Sequence, residues 1–191
     1  IDFLKSHQGS ENPFFLAINI TTHHGPCHIE SIEAPIGITQ AGYVEGLEGI
    51  MPARETIIER IEAAGYEANF KTAGTVWTDD LVKTIIGTCD DLEISSNTAF
   101  VFTTDHNRYD GKGTVYQGGV HIPYLMRLDN VIAPGSKMDT RFEMVDLMPT
   151  FLDMANVDIP QGIDGKSIWA NLNGETSTPV RDHVYLEFGY S

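Results

Sequence analysis

Thr103-Thr104-Asp105-His106-Asn107 follows the apolar run of residues 98–102, and Gly111-Lys112-Gly113-Thr114 follows four positions later. A buried strand that ends in Asp-His sets a carboxylate and an imidazole side by side at the carboxyl edge of a sheet, where open α/β sheets gather their ligands. The glycines flanking Lys112 let the backbone bring an ammonium close to a ligand. A metal-binding pair followed by a cation suits an enzyme that handles an oxyanion ester. The metal polarises the ester, and the ammonium neutralises a non-bridging oxygen. Each feature has a plainer counterpart. Asp and His often merely open a polar loop after a strand, and a lone lysine is usually a solvated surface charge.

Other loop chemistries fail on spacing. An EF-hand needs oxygen ligands at its first, third and fifth positions and Gly at the sixth. Asp105 and Asn107 fit, but Tyr109 fills the fifth place and Gly111 arrives one residue late. A phosphate-binding P-loop needs Gly where His106 stands and Ser or Thr where Gly113 stands. A second cluster, His23-His24-Gly25-Pro26-Cys27-His28, has no partner cluster with zinc-finger spacing. A single histidine at the carboxyl end of the preceding apolar run suits hydrogen bonding to an anion or protonation of a leaving group.

These residues need elements to position them. Residues 13–20 are short, aromatic and apolar between Asn12-Pro13 and Thr21-Thr22, which predicts a buried strand. Residues 28–52 show no clean period and are broken by Pro35, Gly37, Gly42, Gly46 and Gly49, which predicts a long irregular connection at a cleft mouth. Ile57, Ile58, Ile61 and Ala64 set a helical stripe over residues 54–64. Leu81, Val82, Ile85, Ile86 and Cys89 set another over residues 79–92, with Thr78 or Asp79 as its cap.

Residues 98–102 form the strand before Asp105, and residues 120–127 the next one, where Pro123 demands an edge position or a late start. A turn at residues 133–136, a helix over residues 143–156 that accommodates Pro149 in its first turn if it starts near Asp146-Leu147, a loop at 159–165 and a short helix at 167–172 complete the order. Strands alternating with helices indicate an α/β fold with a mixed, largely parallel sheet flanked by helices.

Composition bounds the partners. The 191 residues are 41% hydrophobic and 20% charged, with a formal net charge of -15, the make-up of one ordinary globular core. That charge repels nucleic-acid backbones and anionic membrane surfaces, so neither is an expected partner. A small anionic substrate stays open, because a metal ion and one lysine reverse the local field. No apolar run approaches the roughly 20 residues of a membrane helix. Cys27 and Cys89 are too few for a disulfide framework. Ile1 to Lys5 reads as a helix already under way and Val184 to Ser191 as an apolar run cut short, so a piece of a longer polypeptide is expected.

In order along the chain, these segments resemble those of sulfatases. Pro13-Phe14-Phe15-Leu16 through Thr22-His23-His24-Gly25-Pro26 resembles the family's Phe- and Leu-rich strand ending in Pro-His-x-Pro, with His23 where Pro is common. Asn97-Thr98 through Thr103-Thr104-Asp105-His106 resembles its Asn-Thr-strand-Thr-Ser-Asp-(Asn or His) element. Gly111-Lys112-Gly113 through Tyr116-Gln117-Gly118-Gly119 and Pro123 resembles its Gly-Lys-x-x-x-Tyr-Glu-Gly-Gly-x-x-x-Pro element, with Gln117 where Glu is usual. Asp146-Leu147-Met148-Pro149-Thr150 and Gly162-Ile163-Asp164-Gly165-Lys166-Ser167 resemble two later signatures.

The resemblance is to the sulfatase branch of the alkaline phosphatase superfamily, and it implies that fold. It further implies a sulfuric ester hydrolase in which Asp105 and His106 hold a divalent metal. Calcium is the family's usual ion, and the imidazole also suits manganese or zinc. Lys112 and His24 would bind the sulfate and take part in catalysis, with His23 as a further substrate-binding candidate. The family nucleophile is a formylglycine matured from Cys/Ser-x-Pro/Ala-x-Arg. Neither cysteine has that context, since His28-Ile29-Glu30 follows Cys27 and Asp90-Asp91-Leu92 follows Cys89.

Residues 1–191 are therefore expected to be one catalytic-domain segment, truncated at both ends and inactive alone, with the formylglycine elsewhere. The substrate would be a small-molecule or glycan sulfate ester, and the family's export habit implies a periplasmic or secreted protein. Two rival readings are a phosphodiester or phosphonate monoester hydrolase of the same superfamily and a non-catalytic relative that binds sulfated glycans.

Overall fold

The computed structural model describes residues 1–22, 24, 28–39, 42–107 and 111–187. The chain divides into two compact units, Ile1–Ser95 and Ser96–Ser191. In the first, α1 (Asp2–His7) buries Leu4 and stacks Phe3 on His7, with ring centroids 4.3 Å apart. After it comes α2 (His28–Glu33), then a two-residue hairpin of β1 (Ile38–Thr39) and β2 (Gly42–Tyr43), then α3 (Thr56–Ala63) and the 22-residue α4 (Phe70–Asp91). The segment read as irregular thus holds a helix and a hairpin. Gly37 makes the hairpin possible. Its φ is +91°, and a Cβ there would stand 2.3 Å from the Val44 carbonyl oxygen.

Ile57 and Ile61 of α3, Ile32 of α2 and Ala73 of α4 form the buried core of this unit, with Val76 and Trp77 packed against it. The α3 stripe stands where the periodicity puts it. Helix α4 starts nine residues before the expected position, because Asn69 caps it rather than Thr78 or Asp79. Asn69 Oδ1 accepts from the backbone N–H groups of Lys71 and Thr72, and the Thr72 hydroxyl accepts from the Asn69 N–H. Thr, Gly and Val in residues 70–78 have weak helix propensity, so the core packing of Ala73 and Trp77 decides the matter.

Residues 13–20, read as a buried strand, take no regular secondary structure and are largely exposed, Phe15 at 72%. An apolar run becomes a strand only when a neighbour satisfies its backbone groups. Among the described residues, the sheets contain no such neighbour.

In the second unit, β3 (Phe100–Thr103) is followed by α5 (Gln117–Val120), β4 (Tyr124–Arg127), α6 (Leu147–Met154) and α7 (Trp169–Leu172). The α/β character holds, but both strand pairings among the described residues are antiparallel where the sequence suggests a largely parallel sheet. Residues 104–123 join β3 to β4 and carry, among the described residues, one four-residue helix; the pair they join runs antiparallel. β4 starts just past Pro123, the late start that proline imposes. Pro149 lies in the first turn of α6, where no backbone N–H is missed.

Candidate active site

β3 ends beside Pro123, whose carbonyl accepts from the Thr103 hydroxyl at 2.9 Å. The backbone then turns sharply. The His106 N–H donates to Asp105 Oδ1 at 3.0 Å, the Thr104 hydroxyl donates to the His106 carbonyl at 3.2 Å, and the Asn107 N–H donates to the Gly119 carbonyl at 3.2 Å. Asp105 and His106 are thereby presented outward, their side chains 82% and 40% exposed.

The imidazole orientation follows from its neighbours. His106 Nδ1 lies 2.9 Å from the Asn107 carbonyl, which can only accept, so Nδ1 carries a proton. Nε2 faces Asp105 Oδ2 at 3.2 Å. In a neutral ring, two acceptors would then face each other. A metal ion between the two atoms would resolve that clash. Two cis ligands at about 2.0–2.4 Å from one metal stand about 2.8–3.4 Å apart, so the pair fits a shared cation. A backbone carbonyl on the other ring nitrogen is also the usual support for a ligating histidine. Among the described residues, no third His, Cys, Asp or Glu completes a metal-binding group with them.

Lys112 sits on a loop with Gly111 at φ +113° and Gly113 at φ +74°. The Thr114 N–H and hydroxyl both donate to the Gly111 carbonyl, at 3.0 and 2.7 Å, and close the loop. A Cβ on Gly111 would lie 2.7 Å from the Gly119 nitrogen, and one on Gly119 would lie 2.3 Å from the Gly111 oxygen. The two glycines therefore meet backbone to backbone. Because Gly119 also accepts from Asn107, one residue anchors both the Asp105-His106 turn and the Lys112 loop. The Gly118-Gly119 pair was visible in the sequence, but nothing there disclosed this double contact.

His24 belongs to the first unit, and its N–H donates to the Thr21 carbonyl at 2.9 Å. The neighbouring Thr22 hydroxyl lies 2.5 Å from that of Thr78 on α4. His23 and Cys27 fall outside the described residues. Within the second unit, the Asp105-His106 turn and the Lys112 loop are thus both held to Gly119, and His24 lies in the first unit.

The two later signatures prove to be mutual supports. Asp146 is fully buried. Its carboxylate accepts from the backbone N–H groups of Glu143 and Lys166, both at 2.7 Å, and from Arg181, which also pairs with Glu143. Thr150 donates to the Asp146 carbonyl and accepts from the Ile168 N–H. Gly165 lies so close to Val145 that a Cβ would stand 2.1 Å from its oxygen.

Residues 104–191 match the family model described as N-sulphoglucosamine sulphohydrolase, C-terminal. Arylsulfatase K of Xenopus laevis is 36% identical over 112 residues, covering 56% of this chain and 21% of that protein. An ulvan-active sulfatase of Formosa agariphila is 34% identical over 95 residues, covering 50% of this chain and 19% of that protein. A structure solved in work on the metabolism of multiple glycosaminoglycans by Bacteroides thetaiotaomicron superposes with a TM-score of 0.51 at 20% identity, over 58% of this chain and 28% of that one. That likeness concerns the fold. The chain spans about a fifth of the length of these curated relatives.

Proposed function

We propose that the chain is a carboxyl-terminal part of a sulfatase and that the protein containing it hydrolyses sulfate esters. What supports the reading most is the double anchoring at Gly119, which holds an Asp-His pair and a glycine-flanked lysine to one backbone position. The substrate is a small-molecule or glycan sulfate ester. Lys112 neutralises a non-bridging sulfate oxygen. To His24, with His23 beside it in the sequence, we assign sulfate binding and donation of a proton to the departing alcohol oxygen.

Asp105 and His106 supply two ligands for a divalent cation, calcium by family habit. When bound, such an ion polarises the ester and stabilises the charge that develops on it. Residues 1–191 contribute these groups as one segment of the catalytic domain, without a nucleophile of their own, and do not turn over substrate alone. The proposed location is periplasmic or extracellular. Among the described residues, no helix is long and apolar enough to cross a membrane.

The full-length protein tests this. It is expected to hydrolyse an aryl sulfate faster than a phosphonate ester. Lys112→Ala should lower kcat/KM by about a hundredfold or more, and Asp105→Ala should reduce the divalent metal retained on gel filtration. Undiminished turnover in both variants, or a preference for the phosphonate ester, overturns the assignment.

A further inference from the structure

Thr78 is 8% exposed in the middle of α4, at a helix position where threonine has no propensity advantage. Its hydroxyl donates to the Gly74 carbonyl one turn back, at 2.8 Å. That proton is committed, so in the 2.5 Å contact with Thr22 the Thr22 hydroxyl donates and Thr78 accepts. Thr22 lies inside the turn that the His24 N–H closes on the Thr21 carbonyl. The segment leading into this turn, residues 13–20, has no sheet pairing among the described residues to hold it.

The helix side of the contact is firmly placed. Two residues beyond Thr78, Asp80 accepts from both terminal nitrogens of Arg60 on α3, at 2.8 and 2.5 Å. Ala73 and Trp77 of α4 pack in the core of the same unit. A hydroxyl on a fixed helix therefore grips the second residue of the turn that ends at His24.

We infer that Thr78 is the positioning residue for His24: through Thr22 it sets the turn that carries the imidazole to the leaving-group oxygen. The inference rests on the role proposed above for His24. Valine at position 78 keeps the volume and leaves the Gly74 carbonyl its ordinary helical bond, so it removes the grip on Thr22 with little other change.

The experiment uses the full-length protein and two substrates, 4-nitrophenyl sulfate and phenyl sulfate. The nitrophenolate leaves with little need of a proton, whereas the phenolate needs one. Thr78→Val is expected to lower kcat on phenyl sulfate about tenfold while changing kcat on the nitrophenyl ester by less than about twofold, and Thr78→Ser should restore both. Thr22→Val, which removes the donor from the outer side, should behave as Thr78→Val does and serves if the helix variant is poorly folded. His24→Ala is the reference and should show the same preference more strongly. If His24→Ala slows both esters equally, the role of His24 is wrong. If His24→Ala discriminates and the threonine variants slow both esters equally or neither, the role of His24 stands and the positioning role of Thr78 is overturned.

Discussion

A single side chain acts through what its immediate surroundings permit, and His106 illustrates this. A carbonyl that cannot donate fixes its Nδ1 proton, and that leaves Nε2 facing Asp105 across a gap suited to a cation. Tyr124 is a second case. Burial pushes its phenol up to about 12, against about 10 in an unfolded chain. A group whose folded value is raised contributes stability that is complete below the unfolded value and lost as pH climbs through the folded one. The second unit should therefore hold its stability up to about pH 10 and lose part of it between pH 10 and pH 12 as the unfolded chain ionises there. Phenolate absorbance should titrate late for this residue, and Tyr124→Phe should flatten the alkaline fall in denaturant midpoint. A fall unchanged by that replacement would assign the loss to other groups. None of this was readable in the sequence, where Tyr124 is simply one aromatic in an apolar run.

At the scale of elements, glycine marks where backbones meet and where they do not. Gly119 on α5 touches the Lys112 loop with no room for a Cβ, whereas a Cβ on Gly87 of α4 would meet nothing within 4 Å. The same substitution should thus act in opposite directions. Gly119→Ala is expected to destabilise by about 1–3 kcal/mol through overpacking, and Gly87→Ala to stabilise by about 0.5–1 kcal/mol through helix propensity. Urea unfolding of the two variants checks the pair, and equal effects would show that the glycine contact at the site is slack. Sequence reasoning located α3 and α6 because a buried helical face repeats every three to four residues. It placed the start of α4 late, because the apolar period begins at Leu81 while the cap and the core contacts begin at Asn69 and Ala73.

For the molecule as a whole, each unit is held by an arginine that joins segments distant in sequence. Arg60 pairs with Asp80 in the first, and Arg181 pairs with Asp146 and Glu143 in the second. The bond to Asp80 holds the Arg60 guanidinium above its ordinary value. Removing one member of a buried pair leaves the other uncompensated. Asp146→Ala should therefore cost the second unit about 3–5 kcal/mol, seen as a lower denaturant midpoint, because Arg181 loses a fully buried partner and the Lys166 N–H its acceptor. A loss below about 1 kcal/mol, the worth of a surface ion pair, would mean that water reaches the network.

The sequence by itself determined the helical stripes, the acidic balance, the order of the motifs and the family those motifs resemble, since each is carried by local spacing along one stretch of chain. Tertiary structure alone decided that β3 and β4 run antiparallel, that residues 13–20 remain outside the sheets described, that Gly119 anchors two loops and that Asp146 is a buried support. The contacts among these join residues from 8 to 35 positions apart. Such contacts leave no period in the sequence, because their energy comes from hydrogen bonds and close packing that exist only once the chain has folded back on itself.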